Sequence, residues 1–197
     1  DIIRLKQIDA DFSWNDVAIL VRANSHAEPF VRMLESLDVP YQFVAARGLF
    51  QQTEVLDLLS YLKMLDNYHE SASFYRVLSM RQFGMTPRTI MDLLHNARKT
   101  MVSLYESAEV AQSIATITEP QRRKLRALQS MMEKHTLLTA EKSVGQVLYQ
   151  CMSDLNYLDS FDKDAEAAKI ENVAKLYRAV RDFEDRNDAP TVRAFLN

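Results

Sequence analysis

The five apolar residues Val17 to Val21 constrain the fold of this chain more than any other feature. No polar position interrupts them, so a strand here has no face for water, as in a strand buried inside a parallel sheet. The run ends on Arg22-Ala23-Asn24, and polar groups at a strand's carboxyl end lie where open α/β sheets bind their ligands. Pro29 to Leu37 then sets Phe30, Met33, Leu34 and Leu37 on one helical face. Val39-Pro40-Tyr41 restarts an extended segment, because proline disfavours helix in the residue before it. Strand, helix and strand make one βαβ-like unit.

Beyond about residue 52 the apolar spacing is helical throughout. Thr53 is read as an N-cap for a helix over 54–65, with Val55, Leu58, Leu59 and Leu62 inward. Thr86-Pro87 and Glu119-Pro120 open two more helices, since proline suits the first helical turn. Further helices are expected over 71–80, 143–152 and 164–183, a short one near 101–107, and one starting at Thr191. A helix end is expected at Asp1–Ile8, and Trp14 is expected over the edge of the first strand. The predicted class is therefore mostly α with a small α/β portion, divided into residues 1–52 and 53–197.

Composition narrows the function. The chain has 197 residues, 47% apolar and 26% charged, with a net charge of −3. That balance argues against a dedicated high-affinity nucleic-acid binder. The charge is unevenly spread: residues 81–134 hold nine Lys/Arg against five Asp/Glu, and residues 153–188 hold six against ten. Such a split suits one face for a polyanion and an acidic face elsewhere, and equally suits solvated helix surfaces. The lone Cys151 sits among apolar neighbours, as a buried small hydrophobe in a reducing compartment would. No apolar run approaches the ~20 residues of a membrane span, so a cytoplasmic location is expected. His26, His69, His95 and His135 show no metal-ligand spacing.

Asp16, Ala18, Leu20, Arg22 and Asn24, then Pro40-Tyr41, then Phe50, Glu54, Asp57, Tyr61 and Leu62 follow one another in a recognisable order and spacing. This series resembles the second motor domain of UvrD/Rep/PcrA-type superfamily 1 DNA helicases. The resemblance implies a partial RecA-like segment of domain 2A over 1–52, followed by the helical accessory domain 2B. It also implies that Arg22 and Asn24 contact single-stranded DNA. Chemically, a guanidinium offers a planar fork of donors to phosphate, and an amide both donates and accepts. The same residues also fit an Arg–carboxylate pair and a helix cap. Where relatives often continue Asn-Ala-Gln-Ser-Arg, this chain reads Asn24-Ser25-His26-Ala27-Glu28, and Glu28 would repel a phosphate.

Phe50, Glu54, Asp57 and Tyr61 match family positions that fix the hinge between motor and inserted domain, and Arg47 and Gly48 just before Phe50 are read as hinge residues beside them. The Glu54/Asp57 pair shares a helical face but has no histidine or phosphate loop beside it, so no catalytic role is assigned. Arg81 to Arg88, RQFGMTPR, stands where many relatives carry a Gly-Ile-Gly turn against duplex DNA. Its form is closer to the RecB/AddA-like branch, in which the domain serves protein contact as well. Arg81, Thr86 and Arg88 are the candidate phosphate contacts, beside a helix start that favours anions. Phe83 in place of a glycine is expected to make the turn bulkier and hold DNA further off.

Glycine occurs only at 48, 84 and 145, and no G-x-x-x-x-G-K-[ST] is present. The chain therefore has no phosphate-cradling loop of its own. ATP and Mg2+ are implied for the parent protein only, with partners in single-stranded and duplex DNA, and no metal or membrane site. The competing reading is a helical protein-interaction module that docks through the acidic 154–188 region.

Overall fold

The computed structural model describes residues 13–22, 26–41, 48–188 and 190–196. Two compact units divide after Gly48. The expected helix at Asp1–Ile8 lies outside the described residues, as do Asn24 and Arg47.

In the N-terminal unit, a 3-10 turn over Trp14–Asp16 is closed by the Ser13 amide donating to Asp16 Oδ2 at 2.7 Å. The buried strand expected at Val17–Val21 is not formed: Ile19, Leu20 and Val21 are exposed, and no strand is assigned among the described residues. Val39–Tyr41 is likewise not assigned as strand; the Val39 amide donates back to the Leu34 carbonyl at 3.0 Å and the Tyr41 hydroxyl to Glu35 Oε1 at 2.7 Å. A strand buried on both faces needs neighbours on each edge to take its N–H and C=O groups, and none is assigned among the described residues. The helix α1, Glu28–Ser36, does form, with proline in its first turn. It buries none of its side chains, and Phe30, Met33 and Leu37 are exposed on the predicted apolar face. Glu28 is paired with Arg32 at 2.8 Å rather than standing free.

The C-terminal unit is all helix and turn among its described residues. It runs α2 (Thr53–Asp66), α3 (Ser71–Ser79), α4 (Pro87–Thr100), α5 (Leu104–Glu109), α6 (Glu119–Leu138), α7 (Val144–Asp154), α8 (Ala167–Arg186) and α9 (Val192–Leu196). Local chemistry explains most starts. The Thr86 hydroxyl accepts from the Thr89 amide at 3.2 Å. Capping boxes at Ser103/Glu106 and Ser143/Gln146 open α5 and α7. Thr53, however, is not a cap: it is already helical, Gln52 holds the cap position, and no side chain caps α2 there.

The second helix is the centre of this unit. It packs against α3, α6, α8 and α9, and buries Val55, Leu58, Tyr61, Leu62, Met64 and Leu65. A helix enclosed on several sides loses the amphipathic pattern of a surface helix. Polar cross-links key it to distant elements. Tyr157 Oη donates to the Glu54 carbonyl at 2.9 Å, and Asn172 Nδ2 donates to Glu54 Oε1 at 2.7 Å. Among the described residues no helix is long and apolar enough to cross a membrane.

Candidate nucleic-acid interface

Arg22 is exposed in the N-terminal unit, immediately after the run Val17–Val21. Its intended companion Asn24 lies outside the described residues. Phe50 is exposed on the 3-10 turn Leu49–Gln51, and a side chain at Gly48 would meet nothing within 4 Å.

The turn from Arg81 to Arg88 is built differently from its linear reading. Arg81–Phe83 form one 3-10 turn that ends on Gly84 at φ 54°, a left-handed conformation that suits glycine. Phe83 does not bulk out the outer surface, because its ring belongs to the core. Hydrophobic burial of Phe83 anchors the turn, and Gly84 after it is exposed. Arg81 faces its own protein. Its guanidinium donates to the Ser160 carbonyl at 3.0 Å and to both Glu166 oxygens at 3.1 and 3.4 Å. It also lies 5.5 Å from the centre of the Phe161 ring. Glu166 is held well below the usual carboxylate range, at about 2, by Lys169 first, then the Asp162 amide and Arg81. The Thr86 hydroxyl is occupied as the cap. Of the three candidate donors, Arg88 remains the outward one, 76% exposed and paired with Asp92 on its own helix.

A cation that sequence reading missed stands on the same turn. Lys124, on α6, places Nζ 2.6 Å from the Gly84 carbonyl, so close that a Cβ on Gly84 would meet it at 2.7 Å. Gln121, one turn earlier, accepts from the Thr86 amide at 3.1 Å. The first half of α6 is thereby tied to the start of α4, and Arg88 and Lys124 belong to one locality. Glu119 opens α6 and gathers Arg126 at 2.8 Å, Arg123 at 3.5 Å and Arg122 at 3.8 Å. Those arginines, led by the Arg126 hydrogen bond, hold Glu119 below its ordinary range. The E-P-Q-R-R-K-L-R sequence of 119–126 carried this signal, but its attachment to the 81–88 turn spans some forty residues and had none.

The hinge candidates Glu54, Asp57 and Tyr61 are anchors in α2. Glu54 is 4% exposed, and Asp57 accepts from Arg76 Nε at 2.7 Å. Burial is the main cause raising the Asp57 carboxyl above its usual range, against the lowering by Arg76. Glu54 and Asp57 line a cavity of about 200 Å³ with Arg81, Tyr157, Phe161 and Lys169, so the two acids and the turn arginine meet in space. Tyr61 joins a buried chain: its hydroxyl is hydrogen-bonded to His135 Nδ1 at 2.8 Å, and His135 Nε2 to Asp154 Oδ2 at 2.9 Å. Lys134 and Gln150 also bind Asp154 at 2.6 and 2.8 Å, and the carboxyl is pulled down to about 2, chiefly by Lys134. Cys151 is buried and pushed up to about 12 by that burial, so it is a packing residue.

The glycines do not assemble a nucleotide cradle. The Gly145 amide is taken by Glu184 Oε1 at 2.7 Å, and the Gly84 amide by the Arg81 carbonyl at 3.2 Å. Neither offers free backbone donors to a triphosphate.

The model of the UvrD-like helicase C-terminal domain matches residues 1–197. DNA helicase II of Haemophilus influenzae is 24% identical over 189 residues, covering 92% of this chain and 26% of that protein. The ATP-dependent DNA helicase PcrA of Staphylococcus aureus is 21% identical over 178 residues, covering 87% of this chain and 24% of that protein. PcrA of Leuconostoc citreum is also 21% identical over 178 residues. The chain thus spans about a quarter of the length of these curated relatives.

Proposed function

The chain belongs to the UvrD-like helicase C-terminal domain family, and we propose that it is the DNA-holding part of an ATP-dependent DNA helicase. In this reading residues 1–52 are the end of motor domain 2A, where the βαβ-like unit is completed by strands of the full-length protein. Residues 53–197 are most of the inserted domain 2B. ATP and Mg2+ bind outside this chain, whose glycines do not fit a phosphate loop. Arg22 and Asn24 hold single-stranded DNA; Arg47, Gly48 and Phe50 shape the hinge, with Glu54, Asp57 and Tyr61 anchoring its far side. The buried, unreactive Cys151 suits a reducing, cytoplasmic setting.

The observation that carries the duplex assignment is Lys124 on the Gly84 carbonyl at 2.6 Å, on the same turn segment that leads into α4 and its 76% exposed Arg88. Cations such as Lys124 and Arg88 can bind phosphates without reading sequence. Arg81 enters this reading as a structural residue, since phosphate would have to displace a buttressed carboxylate from it. The test is duplex binding by the full-length protein over a salt series. Arg88→Ala with Lys124→Ala should weaken binding and flatten the salt dependence by about 0.9 per lost phosphate contact. Arg81→Ala should lower thermal stability and leave the slope unchanged. An unaltered slope in the double variant would sink the duplex assignment.

One observation favours the second reading, a protein-docking role for the helical domain. Arg81 and Lys169 both turn onto Phe161 and Glu166, which withdraws two cations from any DNA-facing surface. Retained unwinding together with loss of a specific partner in the Arg88/Lys124 variant would support it.

A further inference from the structure

We propose that Glu119 is a built-in competitor for phosphate, which mutes a basic strip on α6 until duplex DNA displaces it. The inference rests on the duplex reading above and adds to it a second phosphate-binding strip with its own regulator. Three arginines converge on this one carboxylate, Arg126 at 2.8 Å, Arg123 at 3.5 Å and Arg122 at 3.8 Å. A carboxylate presents to a guanidinium fork the same paired acceptor oxygens as a phosphate. Glu119 therefore occupies the donor positions that a backbone phosphate would take.

Neighbouring contacts show which of these cations are available. Arg122 also donates to the Ile114 carbonyl at 3.1 Å, and its side chain is only 22% exposed, so it is fixed to the protein. Arg123 and Arg126 are outward, with side chains 75% and 49% exposed. Lys124, next to Arg123 in sequence, reaches from the same helix to the Gly84 carbonyl at 2.6 Å, which ties this turn of α6 to the turn before α4. Glu119 is itself 48% exposed, and exchange of its arginines onto phosphate opens no buried charge. An exposed ion pair is weak, so polyanion can win the exchange at low salt. The exchange then costs part of the binding free energy, which keeps this domain's grip on duplex shallow and reversible.

The experiment is anisotropy of a labelled hairpin duplex with the full-length protein across a salt series. Glu119→Gln should tighten binding roughly two- to fivefold at low salt, the scale of an exposed ion pair. Its salt dependence should steepen by about 0.9 for each phosphate newly engaged. Glu119→Asp, which keeps the charge, should remain near wild type, and a melting curve checks that α6 is intact in both. Glu133→Gln removes an equal charge from the same helix, away from the arginines, and should give no gain. In an Arg123→Ala/Arg126→Ala background the Glu119→Gln gain should vanish. No gain from Glu119→Gln while Arg88→Ala/Lys124→Ala still weakens binding would overturn this inference and leave the duplex reading standing. An equal gain from Glu133→Gln would also overturn it, as a mean-charge effect. If Arg88→Ala/Lys124→Ala has no effect, the duplex reading falls and this inference with it.

Discussion

Two amphipathic helices of this chain, α1 and α4, were predicted with equal ease from their apolar spacing, yet they end up in opposite circumstances. Helix α4 seats Ile90, Leu93 and Ala97 in a core assembled from most of the C-terminal unit. Helix α1 buries nothing, and Phe30 and Met33 remain exposed. Periodicity states which face of a helix wants cover and does not supply the cover. The strand Val17–Val21 makes the same point, because a run suited to burial on both sides has no partner strand among the described residues. Among the described residues, the N-terminal unit leaves large apolar side chains such as Leu20 and Met33 exposed, and the C-terminal unit gathers a core of its own.

That contrast can be broken by substitution. Leu93→Ala should cost about 2–5 kcal/mol, since it removes a fully buried side chain from a packed interior. Urea denaturation of the chain checks it, and a loss under 1 kcal/mol would mean that the core is looser than its burial implies. Next in size is His135→Ala, which strands the Tyr61 hydroxyl in an apolar interior and should cost roughly 2–3 kcal/mol. Tyr61→Phe alone should cost less. The two losses together should fall short of their sum, because they break one network.

The acid limb of stability sharpens the picture further. The folded Asp154 carboxyl sits at about 2, below the unfolded value near 3.9. A depressed carboxylate stabilises the fold above its unfolded pKa and loses that contribution as pH falls toward 2. Melting temperature measured from pH 6 to pH 2 should therefore drop, and Asp154→Asn should flatten the part of the drop between about pH 4 and pH 2. An unchanged acid limb in that variant would remove Asp154 from the account. The smallest effect belongs to α1: Met33→Ala in the 197-residue chain should change stability by no more than about 0.5 kcal/mol. The same substitution in the full-length protein should cost more, if strands outside this chain cover that face.

The sequence was most legible where structure is decided locally. Thr86-Pro87 and Glu119-Pro120 mark true helix starts because cap and first turn lie within a few residues of each other. The Ser103/Glu106 capping box was equally local and would have fixed the start of α5, which periodicity alone left vague. Thr53 failed as a cap because a threonine one residue inside the helix looks the same in sequence. The candidate site was legible as residue types and illegible as pairings. Arg81 meets Glu166 across 85 positions, and Lys124 meets Gly84 across 40. No spacing rule reports such contacts, so neither the Glu166 partner of Arg81 nor the place of Lys124 on the turn is legible from sequence.

The central claim is a division of labour, with single strand held through the N-terminal unit and duplex through the α4/α6 edge. It is tested most directly by measuring oligo-dT and blunt-duplex affinities side by side for the full-length protein and two variants. Arg22→Ala should lose roughly 1.5–3 kcal/mol of oligo-dT affinity, the scale of a hydrogen bond to a charged group, and keep its duplex affinity. Arg88→Ala/Lys124→Ala should do the reverse, losing duplex affinity with a flatter salt slope while oligo-dT binding holds. Parallel losses on both ligands in both variants, or no loss in either, would contradict the account.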